Sequence, residues 1–187
     1  MVIYDSEWTS WDGAYARAWS GSGEEKELVQ IGMVKLADTP NLEEIDHFEV
    51  LIQPSINPIL SNYFIHLTGT TQDILDQHGR PFSEILPSVK SFLNCNLIAA
   101  YCFGTGDEEA LRHNCHLNKI KYLIPSGLFI SIIQEVADFI GIPRDQMGSN
   151  QLPGYFGFDP PGNAHNAIAD ARCIAEALRT MRKANAF

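Results

Sequence analysis

Residues 1–8 read MVIYDSEW. Ile3, Asp5 and Glu7 fall on one side of a period-two pattern, and Val2, Tyr4, Ser6 and Trp8 on the other, which is the pattern of a strand. Two acids on one strand face are costly unless they are solvated, paired or bound to a cation. A strand end open to water would satisfy them as well. Residues 9–26 are rich in Gly, Ser and Trp and then in charge, and read as a loop longer than most connections in a domain. Residues 27–37 (ELVQIGMVKLA) and 45–53 (IDHFEVLIQ) read as the second and third strands, the latter ended by Pro54. Their closeness in sequence favours antiparallel pairing with the first.

Beyond this meander the signals change. Pro58, Gly69 and Gly79 break residues 55–80 into short helical pieces. FSEILPSVKSFLN (82–94) has helical apolar spacing despite Pro87, and NLIAAYC (96–102) reads as a buried strand. A helix is expected over 107–118 after a Gly-Thr-Gly turn, a fifth strand over 127–131, and a helix from there to about Ile140. Residues 148–157 are Gly-rich and carry no assignment, and 164–183 read as a terminal helix. The expected fold is α/β, one domain over residues 1–187. Its five-stranded mixed sheet has three antiparallel strands and two parallel additions, with helices on both faces.

Composition sets limits. Of 187 residues, 45% are apolar and 19% charged, an ordinary globular balance. No apolar run approaches the ~20 residues of a membrane helix. The N-terminus lacks the basic region of a secretion signal, so an intracellular, cytoplasmic protein without a membrane partner is expected. Cys95, Cys102, Cys115 and Cys173 match no zinc spacing and read as reduced, mostly buried thiols. The net charge of −10 argues against a protein that coats long nucleic acid, because phosphate neutralisation drives such binding.

Three further residues join the opening acids. Asp107 starts the helix after the fourth strand, where helix capping is an alternative role and Glu108 and Glu109 compete with it. Asp170 ends the run HNAIAD (165–170) in the last helix, where a solvated face would also accept it. His165 lies five residues earlier. Two helical residues five apart point ~140° from each other, so His165 converges on Asp170 only from the loop or first turn, which Pro160, Pro161 and Gly162 favour. The topology brings these groups to strand ends beside helix starts, where sites gather in open sheets. Hard cations such as Mg²⁺ and Mn²⁺ prefer carboxylate oxygen.

Taken together, Asp5-Ser6-Glu7, FGTGDEEAL and HNAIAD resemble the three motifs of the DEDDh family of 3′–5′ exonucleases. The segments LVQIGMVKL, HLTGTTQDILD, FSEILPSVKSFL and ISIIQEVADFIG extend the resemblance over nearly the whole chain. Within the family the sequence is most similar to the ERI-1-like exoribonucleases. The resemblance implies a ribonuclease H-like fold and a metal-dependent exonuclease acting at the 3′ end of single-stranded RNA or DNA, RNA somewhat favoured, and releasing nucleoside 5′-monophosphates. It implies two Mg²⁺ or Mn²⁺ ions: Asp5, Glu7 and Asp170 would hold one, and Asp5 and Asp107 the second, with His165 as general base. It further implies that Thr9 contacts the terminal 3′-OH. Trp8, or His66, Leu67 and Thr68 within 65–70, would pack on the last base; for Trp8 a core position is the alternative.

Segment 9–26, with Trp11, Tyr15 and Trp19, is longer than the family pattern, and reads as a lid, a platform or a dimer contact. Phe103 stands where relatives often carry Trp. Arg112 and Arg172 are the basic residues nearest the motifs. Two cations would offset up to four negative charges at the site, but grip away from it would be weak, so short substrates and distributive action are expected. Two other readings remain: a phosphoesterase for dinucleotides or other small substrates, and a catalytically silent nucleic-acid-binding protein.

Overall fold

The computed structural model describes residues 1–93 and 99–187. Along the chain run β1 (Val2–Trp8), β2 (Leu28–Leu36), β3 (Glu44–Gln53), α1 (Asn62–Thr68), α2 (Gln72–His78), β4 (Arg80–Pro81) and α3 (Phe82–Leu93). Then come β5 (Ala100–Cys102), α4 (Gly106–Leu117), β6 (Phe129–Ser131), α5 (Ile133–Ile140), α6 (Leu152–Phe156) and α7 (Ala167–Lys183). Two 3₁₀ turns, Arg144–Gln146 and Ser149–Gln151, precede α6.

The strands form a mixed sheet in the order β4-β3-β2-β1-β5-β6. The β1–β2 and β2–β3 pairs are antiparallel, while β5 lies parallel to β1, β6 to β5 and β4 to β3. The expected count of five strands is thus corrected to six. The addition is β4, whose Arg80 and Pro81 pair with Ile52 and Gln53. Two residues carry no periodicity, and a proline lacks the ladder donor, so no strand signal exists there. Of the strand expected over 96–102, Ala100–Cys102 is observed. Ala99 precedes the strand, and residues 94–98, which hold the rest of that expectation, Cys95 and the last residue of the helix expected over 82–94, lie outside the described residues. Cys102, Cys115 and Cys173 are free and buried.

The alternation in β1 sorts the core into two layers. Val2 and Tyr4 pack with Ile85, Leu86 and Val89 of α3 and with Ala110, Leu111 and Cys115 of α4. Ile3, with Val34 and Leu36 of β2, packs on the other face against Val136 of α5 and Ile174, Leu178 and Met181 of α7. Asp5 and Glu7 share the Ile3 face and therefore point to the α7 side.

Gly32 sets how near that helix comes. It lies opposite Asp5 in the β1–β2 register. A Cβ there would stand 2.3 Å from Ile168 N and 2.4 Å from Ala167 C, so the first turn of α7 rests directly on the β2 backbone. Gln30, opposite Glu7, pins the same turn: its Oε1 accepts from Ala167 N at 3.1 Å, and its Nε2 donates to Thr70 Oγ1.

Residues 9–26 carry turns but no helix or strand. Thr9 N donates to Glu27 O at 2.8 Å, Trp19 Nε1 donates to Thr9 O at 2.8 Å, and Arg17 pairs with Glu24. The base of the segment is anchored by the buried Glu27 carboxylate. It accepts from Ser55 N (2.7 Å), Ser55 Oγ (3.0 Å), Ile56 N (2.9 Å) and Asn57 N (2.6 Å).

Candidate active site

The acids meet where β1 and β5 end and α4 and α7 begin. Asp5, Asp107 and Asp170 are buried and Glu7 is half-buried. Asn166 caps α7, its side chain accepting from Ala169 N at 3.2 Å. Asp170 therefore sits in the first turn of α7, over the β1 face that carries Asp5 and Glu7. His165 lies before the cap with φ 57°, outside the helix. Its backbone N–H donates to Asp170 Oδ2 at 3.2 Å. This left-handed turn brings the imidazole back over the acids, overcoming the divergence that a continuous helix would impose. One ligand atom each from Glu7, His165 and Asp170 lie within 4.8 Å of one another.

Asp107 arrives from the opposite layer. Its Oδ1 accepts from Ser6 Oγ at 2.7 Å, so the α4 acid is tied to the residue between Asp5 and Glu7. Glu108 turns away, pairing with Arg112 at 2.6 Å and accepting from Tyr122 at 3.2 Å, and Glu109 is exposed. Of the three consecutive acids, Asp107 is the one brought to β1.

The electrostatics are those of a crowded, dry cluster. Burial, then Asp107, Asp170 and Glu7, push the Asp5 carboxyl well above its ordinary range. Burial, then Asp170 and Asp107, do the same to Glu7. Burial raises Asp107 to about 6 against the hydrogen bonds from Ser6, and raises Asp170 to about 7 against the His165 N–H. Burial lowers His165 below its usual 6.5. Asp170 Oδ1 is buried and accepts no hydrogen bond. Desolvated carboxylates with an orphaned oxygen are the donor set that a hard divalent cation would complete. By that test the residues fit such an ion.

The remaining candidates are placed as follows. Trp8 is half-buried, on the α4 side of β1, and a Cβ on Gly106 would meet its ring at 3.1 Å. The Thr9 hydroxyl donates to Glu25 O and accepts from Glu27 N at 3.0 Å, so it is used within the loop. His66 is exposed, its Nδ1 2.6 Å from Asn62 O. Leu67 is half-buried, and Thr68 is buried with its hydroxyl donating to Phe64 O at 3.0 Å. Among the described residues, no hydrogen bond joins His66, Leu67 or Thr68 to the acids. Their loop reaches α7 through Thr70 and Gln30.

Four residues of this neighbourhood were not singled out by their sequence. Gln30 and Gly32 are two of the three interruptions of the apolar strand LVQIGMVKL, Lys35 being the third, a signal that was available. Asn150 Nδ2 stands 3.3 Å from His165 Nε2, a contact from the unassigned 148–157 stretch that no local pattern marks. Lys26 acts on Asp107, whereas Arg112 and Arg172 are paired with Glu108 and Glu44.

A ribonuclease H-like mixed sheet carrying this carboxylate–histidine cluster defines the chain as a DEDDh-type nuclease domain. The chain belongs to the RNase_T exonuclease family, whose model matches residues 2–178, and it is similar to the ERI-1 exonucleases. It is 29% identical over 156 residues to the 3′-5′ exoribonuclease 1 of Rattus norvegicus, covering 80% of this chain and 45% of that protein. It is 25% identical over 214 positions to the 3′-5′ exonuclease eri1 of Schizosaccharomyces pombe, covering 99% of this chain and 68% of that one. The chain thus spans less than half the length of the rat relative. Among solved structures, the nuclease domain of 3′hExo, a DEDDh family member bound to rAMP, superposes with TM-score 0.82 at 26% identity. That match covers 98% of this chain and 91% of the other. DEDDh exonucleases use divalent metal ions.

Proposed function

We propose that this chain removes nucleotides from the 3′ end of single-stranded nucleic acid, RNA somewhat favoured over DNA, and releases nucleoside 5′-monophosphates. The observation that carries the reading is the convergence of Asp5, Glu7, Asp107 and Asp170 with His165, their carboxyls desolvated and Asp170 Oδ1 without a partner. The rAMP bound to the similar nuclease domain, and the exoribonuclease activity named for the rat relative, support the preference for RNA.

Asp5, Glu7 and Asp170 would hold one Mg²⁺ or Mn²⁺, and Asp5 and Asp107 a second. When bound, such ions supply charge neutralisation at the scissile phosphate and acidify the attacking water. The protein supplies the rest. Water attacks phosphorus, the P–O3′ bond breaks, and the leaving 3′ oxygen takes a proton from solvent to become the 3′-OH of the shortened strand. His165, neutral at pH 7 because burial lowers its pKa, takes the water's proton. Asn150 Nδ2 lies 3.3 Å from Nε2 and helps hold the ring in place beside the acids. The His165 N–H holds Asp170 at the same time, so one residue serves the base and a ligand.

The net charge of −10 also favours a second reading, a phosphoesterase for dinucleotides or other small substrates. Digestion of matched 5′-labelled RNA and DNA strands, two and about twenty residues long, decides between them. The expected result is 3′-shortened ladders from the long RNA with Mg²⁺ or Mn²⁺, silence in chelator, and silence in Asp5→Asn. Hydrolysis of the dinucleotide alone would select the second reading. Hydrolysis that persists in chelator would remove both.

A further inference from the structure

An acidic chain that grips a phosphate strand needs a cation at the site, and its arginines are mostly committed elsewhere. Arg17, Arg80, Arg112, Arg172 and Arg179 each pair with a glutamate. Lys26 differs. It is half-buried at the end of the long 9–26 segment, with Nζ 3.8 Å from the Trp8 ring centroid and 5.3 Å from that of Trp19. Among the described residues its ammonium makes no hydrogen bond and no ion pair. Burial lowers its pKa, while Glu109 and Asp107 act in the opposite sense, which places the cation on the Asp107 side of the acid cluster. A half-desolvated ammonium seated over ring faces, with Glu109 and Asp107 acting on it but neither in an ion pair, has donors left for a phosphate oxygen.

The rings continue outward from it. Trp8 meets Trp19 edge-on at 6.2 Å, and Trp19 meets Tyr15 edge-on at 6.3 Å. Tyr15 is 87% exposed although its neighbour Ala14 is buried, so the segment is anchored and still presents an aromatic ring to solvent. The row runs from the site to the surface, a cation first and stackable faces after it, which is the composition of a single-strand track.

We propose that Lys26 contacts a backbone phosphate of the bound strand and that Trp19 and Tyr15 form the adjoining base-stacking surface. Segment 9–26 is then a substrate platform rather than a lid or a dimer contact. The inference rests on the nuclease reading, but binding can be measured without turnover. In an Asp5→Asn background, with Mg²⁺ held constant, the affinity for a 5′-fluorescein-labelled eight-residue RNA is measured across a potassium chloride series. Lys26→Met keeps the aliphatic stem over Trp8 and removes the charge. It should weaken binding about tenfold and reduce the slope of log K against log salt by ~0.7. Lys26→Arg should keep the slope, and Tyr15→Ala, at an exposed position, should weaken binding about fivefold. RNA should also quench the emission of Trp19, read as the part of the signal lost in Trp19→Phe. An unchanged slope in Lys26→Met refutes the phosphate contact, and unchanged affinity in Tyr15→Ala with no Trp19 quenching refutes the platform. If the native chain hydrolyses RNA while these variants bind normally, this inference fails and the nuclease reading stands. If they lose binding while the native chain never hydrolyses RNA, the reverse holds.

Discussion

Removing metal from this protein should make its stability fall as pH rises. The relevant acids are buried, and their folded pKa values exceed the unfolded value, with Asp170 at about 7 and Asp107 at about 6 against 3.8. The metal-free folded state therefore binds protons that the unfolded chain has already released. Its contribution from these groups is complete below about pH 4 and is lost as pH climbs through 6 and 7. At 1.36 kcal/mol per decade, Asp170 alone is worth on the order of 4 kcal/mol. Because the acids share protons, their contributions do not add, and on the order of 4 kcal/mol describes the cluster as a whole. About 3 kcal/mol of that is lost between pH 5 and pH 8, the rest below pH 5, so at ~2–4 °C per kcal/mol for a chain of this size Tm should fall by roughly 5–10 °C over that range. The assay is thermal unfolding by circular dichroism in chelator. Repeating it with Mg²⁺ or Mn²⁺ at about 100-fold its Kd should return roughly 2.7 kcal/mol at the upper pH and little at the lower, where protons occupy the carboxylates. Asp170→Asn should flatten the metal-free profile. A level metal-free Tm from pH 5 to pH 8, or a metal response as large at pH 5 as at pH 8, would refute the claim that these carboxylates are held close, dry and uncompensated.

Four shorter predictions follow from single contacts. Gly32→Ala drives a Cβ into the backbone of Ala167 and Ile168, so α7 must shift; a loss of about 1–3 kcal/mol by denaturant titration should accompany a drop in kcat of roughly 100-fold, since small misplacements of reacting groups are costly. The rate should rise with pH through a midpoint below 6.5, because His165 must be neutral to take a proton, and His165→Ala should lose that limb of the profile. Asn150→Ala should lower kcat about tenfold with KM little changed and move the same midpoint, whereas a purely structural Asn150 would leave the midpoint in place. Glu27→Ala leaves the donors of residues 55–57 without their carboxylate and should cost on the order of 3 kcal/mol by thermal or chemical unfolding.

What was legible in the sequence was whatever a local period or a spaced motif encodes. MVIYDSEW shows by alternation which side chains share a face, and LVQIGMVKL and IDHFEVLIQ show the antiparallel neighbours. The helix containing Asp170 is visible from its spacing, but it starts at Ala167 rather than at 164, and of the two expected places for His165, the loop or the first turn, the loop is the one observed. β4 was not legible, because two residues including a proline pair through backbone alone. Lys26 was hidden for a different reason. It lies 81 positions before Asp107, in an aperiodic segment, and only the folded loop brings it there. Asn150 is likewise a tertiary partner of His165. Gln30 and Gly32 stood in view as interruptions of an apolar strand, but their purpose appears only once α7 rests on them.

The arrangement explains how a sheet interior tolerates so many acids. Their cost is divided between two layers. Asp5, Glu7 and Asp170 occupy the α7 side of β1, while Asp107 comes from the α4 side and is partly compensated by the Ser6 hydroxyl at 2.7 Å. The same division separates the tasks. The α7 layer holds the carboxylate with the unpartnered oxygen and His165 beside it, with Gln30 and Gly32 setting the helix position. The α4 layer holds Asp107, on which Lys26 acts, and the aromatic row that leads to solvent. Strand handling would then sit on the α4 side of β1, coupled to the acids through Ser6, Trp8 and Asp107. A net charge of −10 is compatible with nucleic-acid chemistry on this geometry, because compensation is required only at this strand end and not over the whole surface.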